Sequence, residues 1–352
     1  MKIIITGGCG FIGNKIVKTF MESEKNTIIN IDKLTYASSK QSLVKFKNNK
    51  KYIFEKVDVF DKKRIEKIFF KYNPDGIIHL AAESHVDRSI ESSSQFMKTN
   101  IFGTYNLLEC TRKYLSKFNK KFIFLNFSTD EVYGDLNRKN KGFTEKSHYK
   151  PSSPYSASKA SADHIVRAWN RTYKIPTIII NCSNNYGPFQ FPEKFIPHVI
   201  LNAVLGKNIP IYGKGNQIRD WIYVNDNAQA VKKIFFEGKI GETYNVGTGI
   251  QTTNLYLAKL ICNILNNKIK KKPKNISDFK ELIHHVQDRP GHDIRYLINP
   301  KKIVYDLNWK SKTNLKKGLT ETMDWYLKNK SWWKNILKKQ YNLKRLGKIE
   351  KI

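Results

Sequence analysis

Acidic residues are scarce in this 352-residue chain: 30 Asp and Glu stand against 63 Lys and Arg, a formal net charge of +33. Such an excess raises nucleic acid as a partner, bound through its phosphates. The lysines are scattered along the whole chain instead of gathered in one arm, so no dedicated nucleic-acid binding is expected. A positive field also draws in a small pyrophosphate-bearing molecule. Cysteine is rare as well. Cys9, Cys110, Cys182 and Cys262 lie far apart with no C-x-x-C pair, which supports neither a zinc site nor a disulfide framework and fits a reducing compartment. The eight histidines contain no H-E-x-x-H pattern, and His284 and His285 are adjacent, so they point in different directions. No metal site is expected. No apolar run approaches the ~20 residues a membrane helix needs. The Ile3-Ile4-Ile5 run is too short for a secretory leader. A soluble, cytoplasmic protein without a membrane partner is expected.

What the chain does have is ample core-forming material: 40% of residues are hydrophobic and 12% aromatic, enough to exclude disorder. Short β-branched runs at Lys2–Thr6, Thr27–Ile31, Lys51–Lys56, Gly76–Leu80, Lys121–Phe127 and Thr177–Asn181 read as strands. Longer amphipathic stretches, Asn14–Glu22, Lys62–Lys71, Thr99–Phe118 and Ser153–Tyr173, alternate with them as helices. That alternation predicts an α/β fold, a doubly wound parallel sheet of the Rossmann type. Past residue 181 the pattern loosens and prolines punctuate it. This predicts a smaller, irregular α/β substrate-binding region over residues 181–330, on the carboxyl edge of a dinucleotide-binding domain spanning 1–180. A helix near Val224–Gly238 and a strand near Glu242–Val246 are expected to return to the sheet. Residues 331–352 form a basic tail, read as a docked or frayed helix without an assigned role.

Thr6-Gly7-Gly8-Cys9-Gly10-Phe11-Ile12-Gly13 follows the first strand and opens the first helix. Gly7, Gly10 and Gly13 permit a tight turn and close approach of a pyrophosphate to the helix N-terminus. Asp32 ends the second strand, where a carboxylate binds the adenosine ribose and repels a 2′-phosphate, which favours NAD over NADP. Lys33 beside it weakens that inference. Asp58 closes the third strand and reads either as an adenine partner or as an ordinary turn residue. Downstream, Tyr155-Ser-Ala-Ser-Lys159 places a phenol and an ammonium on one helix face. A fixed cation, together with a positive nicotinamide ring, would bring the phenol towards useful basicity. Finally, Thr129-Asp130-Glu131 follows a strand. Thr129 can bond an oxygen undergoing oxidation. Two adjacent carboxyls suit elimination of water, which needs one acid and one base with separated pKa values.

With these motifs in view, the chain resembles the dTDP-glucose 4,6-dehydratase family of extended short-chain dehydrogenases. Further stretches carry the likeness: Asp32 to Ala37, Ala81 to Ser89, Cys182 to Pro188, Phe191 to Lys194, Arg219-Asp220-Trp221 and Asp288 to Asp293. The likeness departs mainly in a short segment between Tyr133 and Tyr155 and in the basic tail. It implies NAD as a tightly held cofactor and dTDP-glucose or UDP-glucose as substrate. The implied reaction is oxidation at C4, loss of water across C5 and C6, and hydride return to C6, an early step towards rhamnose or another deoxysugar. It also implies roles: Tyr155 with Lys159 and Thr129 at C4, Glu131 at C5 and Asp130 at the C6 hydroxyl. Phe11, Ile12, Lys33, Leu34, Thr35, Val59, Leu80, Ala81, Ala82, Ser84, Thr99 and Asn185 would surround the cofactor. Ser84, Thr129, Asn184, Lys194, Phe195, Pro210, Tyr212, Arg219, Asn254, Arg289, His292 and Tyr296 would hold the nucleotide-sugar. Family members pair as homodimers through two helices, here Thr99–Phe118 and Ser153–Tyr173. Two rivals remain at this stage: a nucleotide-sugar 4-epimerase, which has no use for Asp130 and Glu131, and a non-catalytic binding protein.

Overall fold

The computed structural model describes residues 1–136, 141–273, 276–288 and 291–343. Six β-branched runs become strands: β1 (Lys2–Thr6), β2 (Thr27–Ile31), β3 (Tyr52–Glu55), β4 (Gly76–His79), β5 (Ile123–Thr129) and β6 (Thr177–Cys182). Thr243–Val246 joins them in one seven-stranded sheet, ordered Thr243–Val246, β6, β5, β4, β1, β2, β3. Every neighbouring pair is parallel. This is the doubly wound sheet expected from the sequence.

Because successive side chains of a strand point to opposite faces, each strand feeds two cores. Ile3, Ile5, Ile28, Ile78 and Leu125 pack with the helices Phe11–Phe20 and Val224–Glu237. Ile4, Ile29, Ile77, Phe124 and Ile179 pack on the other face with Lys62–Tyr72, Gly103–Lys117 and Pro154–Tyr173. Covering both faces is what a fully parallel sheet requires. The strand order reverses between β1 and β4, so the loops leaving these two strands diverge and open a crevice at the carboxyl edge.

A third core lies above that edge, built from Phe195–Val204, Asn254–Lys268, Leu315–Lys328 and Lys330–Lys339. The sequence reading placed no helix at the first three of these, and at the first of them Pro197 was read as punctuation. Pro197 sits in the first turn, where backbone N–H groups have no helical partner, so proline is tolerated there. The predicted Thr99–Phe118 helix also differs. Met97–Phe102 winds as a wide π-type turn, and the regular helix begins at Gly103. Asn100 is drawn away by hydrogen bonds with the Glu83 backbone N–H and C=O and with Ser158 Oγ. All four cysteines are buried free thiols. Among the described residues no helix is long and apolar enough to cross a membrane.

Candidate active site

One cleft follows the carboxyl edge of the sheet, from the loop after β1 to the end of β6, and continues beneath the third core. Its floor begins with the glycine loop. Gly7 has φ +71°, and a Cβ there would lie 2.8 Å from the Ala81 backbone; at Gly13 it would meet the Gly7 carbonyl at 2.1 Å. Only glycine fits either position. The helix Phe11–Phe20 starts at Gly10 without a side-chain cap, leaving first-turn N–H groups for an anion. Asp32 accepts hydrogen bonds from the Cys9 N–H (2.9 Å), the Leu34 N–H (2.7 Å) and Ser38 Oγ (3.0 Å), which shape the loop around its carboxylate. Lys33 is engaged elsewhere: its Nζ lies 3.3 Å from Glu83, 3.6 Å from Asp58 and 3.3 Å from Thr99 Oγ1. The glycine cradle, the uncapped helix start and the carboxylate together fit a dinucleotide.

The chemistry-bearing residues meet where β5 ends. Thr129 closes the strand, and Asp130–Tyr133 continue as a tight turn. Thr129 Oγ1 accepts from the Glu131 N–H (3.3 Å) and donates to Asp130 Oδ1 (3.4 Å). Asp130 is 1% exposed, and its Oδ2 has no hydrogen-bond partner. Burial first, and the neighbouring Glu131 and Asp220 next, push its carboxyl well above the ordinary range. Both effects favour its neutral, protonated form.

Opposite stands the helix Pro154–Tyr173, whose first turn is set by Pro154 and by reciprocal capping between Ser153 and Ser156. Tyr155, Lys159 and Asp163 follow at four-residue spacing, all buried. Lys159 Nζ donates to the Phe127 carbonyl at 2.7 Å. Asp163 accepts from Ser128 Oγ (2.7 Å), Asn126 Nδ2 (2.8 Å) and Tyr149 OH (3.0 Å), tying the helix to β5. The protein's own groups hold the Tyr155 phenol above its usual range, through burial and then Glu131, against a hydrogen bond with Thr129. Burial likewise lowers Lys159. The activation of Tyr155 expected from Lys159 is thus outweighed in the protein alone.

Most residues singled out from the sequence line this single cleft. On the cofactor side these are Gly7, Gly10, Phe11, Ile12, Gly13, Asp32, Lys33, Thr35, Asp58, Val59, Leu80, Ala81, Ala82, Ser84, Thr99 and Asn185. Thr129, Glu131, Tyr155 and Lys159 lie at its centre. Asn184, Lys194, Phe195, Pro210, Tyr212, Arg219, Asn254 and His292 line the other half. Leu34, Asp130 and Tyr296 do not line it. Leu34 takes the left-handed conformation (φ +63°) that lets its N–H reach Asp32. Asp130 lies one layer behind the wall, joined to it by Thr129. Tyr296 lies under the Arg219 guanidinium at 4.2 Å and bonds Asp293, so it supports Arg219 from behind. Arg289 is outside the described residues. Lys194 Nζ bridges to the Ser84 carbonyl at 2.7 Å, and Arg219 bonds the Ile218 and Asp293 carbonyls at 2.8 and 2.9 Å.

Sequence reasoning missed several lining residues: Gln190, Glu193, His198, Trp221 and Tyr341. Glu193 is clamped by Tyr36 OH (2.8 Å) and Arg88 Nε (3.0 Å). Its place directly before Lys194, inside a stretch already singled out, was a usable signal. His198 and Tyr341 carried none.

Comparison with known proteins agrees with this geometry. Residues 4–322 match the family model described as GDP-mannose 4,6 dehydratase. The dTDP-glucose 4,6-dehydratase of Neisseria meningitidis serogroup B is 50% identical over 350 residues, covering 98% of this chain and 99% of that protein. A dTDP-glucose 4,6-dehydratase of Escherichia coli is 51% identical over 362 residues, covering 99% and 100%. Among solved structures, the dTDP-glucose 4,6-dehydratase of Bacillus anthracis, in complex with NAD, superimposes with a TM-score of 0.85 at 38% identity, covering 96% of this chain and 99% of that one. The match to these dTDP-glucose enzymes extends past the end of the family model and spans nearly the whole of each chain. The chain belongs to the dTDP-glucose 4,6-dehydratase family.

Proposed function

We propose that this enzyme, a hydro-lyase, converts dTDP-glucose to the 4-keto-6-deoxy-glucose nucleotide with NAD held in the glycine-lined half of the cleft. One observation carries the reading: Asp130, buried and shifted towards its neutral form, is adjacent to a second carboxyl, Glu131, which lines the cleft with Tyr155 and Thr129. Oxidation at C4 needs only the hydroxyl, phenol and lysine. Elimination of water also needs an acid and a base whose environments differ.

NAD, when bound, supplies the oxidant for C4 and the reductant for C6 and ends each cycle unchanged. Tyr155 takes the proton of the C4 hydroxyl, and Thr129 orients that oxygen. The C4 carbonyl then acidifies C5, and Glu131 removes the C5 proton. Asp130, behind Thr129, supplies through that hydroxyl the proton with which the C6 hydroxyl leaves as water, and as hydride returns to C6 Glu131 returns a proton to C5. Arg219 and Lys194 neutralise the pyrophosphate, guanidinium being shaped for phosphate oxygens. Arg289 is a second proposed phosphate partner. The preference for dTDP over UDP rests on the substrates named for relatives about half identical along the full chain. We also propose that the chain pairs with a second copy through Gly103–Lys117 and Pro154–Tyr173.

The test is purified protein with dTDP-glucose and UDP-glucose in parallel, without added NAD, followed by mass spectrometry. Loss of one water, faster from dTDP-glucose, is expected. Glu131→Gln should abolish that loss while C4 oxidation still generates reduced nicotinamide absorbance. No water lost from either sugar, even with NAD supplied, would overturn the dehydratase in favour of an epimerase or a binding protein. Undiminished product from Glu131→Gln would remove Glu131 from its role.

A further inference from the structure

The C-terminal segment is part of the cleft wall. The helix Lys330–Lys339 buries Trp332 and Trp333 in the third core. Trp333 Nε1 donates to the Tyr326 carbonyl at 2.8 Å. Trp332 lies 5.0 Å from Trp325 and 5.7 Å from Phe189, ring to ring, and Lys18 of the helix that leaves the glycine loop covers Phe189 at 4.5 Å. Anchored there, the chain turns at Gln340 and sets Tyr341 into the cleft, only 8% exposed.

Phe191 and His198 are among the neighbours of Tyr341. Its ring stands 6.3 Å from that of Phe191, and its hydroxyl lies 3.1 Å from His198 Nδ1. His198 belongs to Phe195–Val204 and is held neutral, burial pushing its pKa down to about 4. Its other ring nitrogen, Nε2, is buried with no hydrogen-bond partner. Asn184 Oδ1, Asn254 Oδ1 and Trp221 Nε1, on side chains lining the same half of the cleft, are equally unpartnered. A buried polar atom without a partner carries the cost of its lost hydration uncompensated. Several in one wall are therefore expected where a ligand completes the bonding.

We propose that Tyr341 and His198 form a specificity-determining wall of the nucleotide-sugar half, the Tyr341 ring covering the ligand and His198 Nε2–H donating to one of its oxygens. With the Tyr341 hydroxyl donating to Nδ1, the histidine carries its hydrogen on Nε2, a donor for an acceptor oxygen. That oxygen belongs to the pyrimidine ring or to a phosphate. The inference rests on the cleft being a nucleotide-sugar site.

Calorimetry of NAD-loaded protein with dTDP and with inorganic pyrophosphate, alongside steady-state turnover of dTDP-glucose, tests it. Tyr341→Ala should weaken dTDP about tenfold, and Tyr341→Phe, which keeps the ring but loses the hydroxyl, by about threefold. KM should rise by those factors with kcat moving less than about twofold. Bound NAD should stay at the parent value in both variants, and Tm in Tyr341→Phe. Weakened dTDP with unchanged pyrophosphate places the oxygen on the base; weakening of both places it on phosphate. Unchanged dTDP affinity in Tyr341→Ala, or a loss that tracks falling Tm and NAD content, overturns the inference. A parent protein that binds no dTDP would instead overturn the reading of the cleft itself.

Discussion

Asp130 and Glu131 are neighbours in sequence, yet their surroundings separate them. Asp130 is buried behind Thr129 with one oxygen unbonded, whereas Glu131 lines the cleft. This separation has a consequence for stability. A carboxyl whose folded pKa lies above its unfolded value binds more protons folded than unfolded, so its contribution to stability falls as pH rises between the two values. For Asp130 that window opens near the ordinary carboxyl pKa of 3.8 and extends upward. Asp130→Asn, which carries no titrating proton, should therefore gain Tm relative to the parent, by more at about pH 8 than at about pH 5. Turnover should be lost at both. A variant no more stable than the parent at the higher pH would show that Asp130 is not a neutral buried acid. The pair of carboxyls was legible in the sequence; which one is buried was not, because burial is set by residues far off in the chain, as is the charge around it, with Asp220 and Arg219 some 90 residues away both acting on Asp130.

The helix Pro154–Tyr173 shows how much a single element can carry. Ser153 Oγ accepts from the Ser156 N–H, Ser156 Oγ accepts from the Ser153 N–H, and Pro154 takes the first helical position. This fixes the turn holding Tyr155, whose N–H is also met by Ser89 Oγ at 3.2 Å. Ser153→Ala should lower stability by about 1 kcal/mol, read as a shifted urea midpoint with an unchanged slope. A change within error would mean that Pro154 and Ser89 suffice to set the helix start. Most strand and helix positions on the sheet side follow from local periodicity, and the sequence places them within a few residues. The helices above the carboxyl edge were less legible. Phe195–Val204 is buried on most sides and carries a proline, so it lacks the polar face and the uninterrupted run that reveal a helix.

For the whole molecule, the positive charge proved a poor guide to architecture. It is spread over a protein whose organising feature is a parallel sheet with both faces covered and a cleft at one edge. The proposed pairing of two copies has an exposed apolar face to use: Phe102 is 53% exposed and Tyr173 47%, with Tyr105 packed on Trp169 between them in the chain. Sedimentation should give a two-chain mass for the parent and a one-chain mass for the double variant Phe102→Glu, Tyr173→Glu. A parent that sediments as a single chain would remove the pairing.

The sheet, the glycine loop, the Tyr155 and Lys159 spacing and the adjacent carboxyls are all written locally in the amino-acid sequence. Each is encoded within a few consecutive residues, through side-chain alternation, conformational freedom at glycine, or one turn of helix. Only the tertiary structure decided how those pieces differ in environment. It turned Lys33 towards Glu83 and Asp58, set Asp130 behind the wall, raised the Tyr155 phenol, and brought Tyr341 from the end of the chain to His198. Burial and long-range contact set those properties, and both depend on residues distant in sequence becoming neighbours in space.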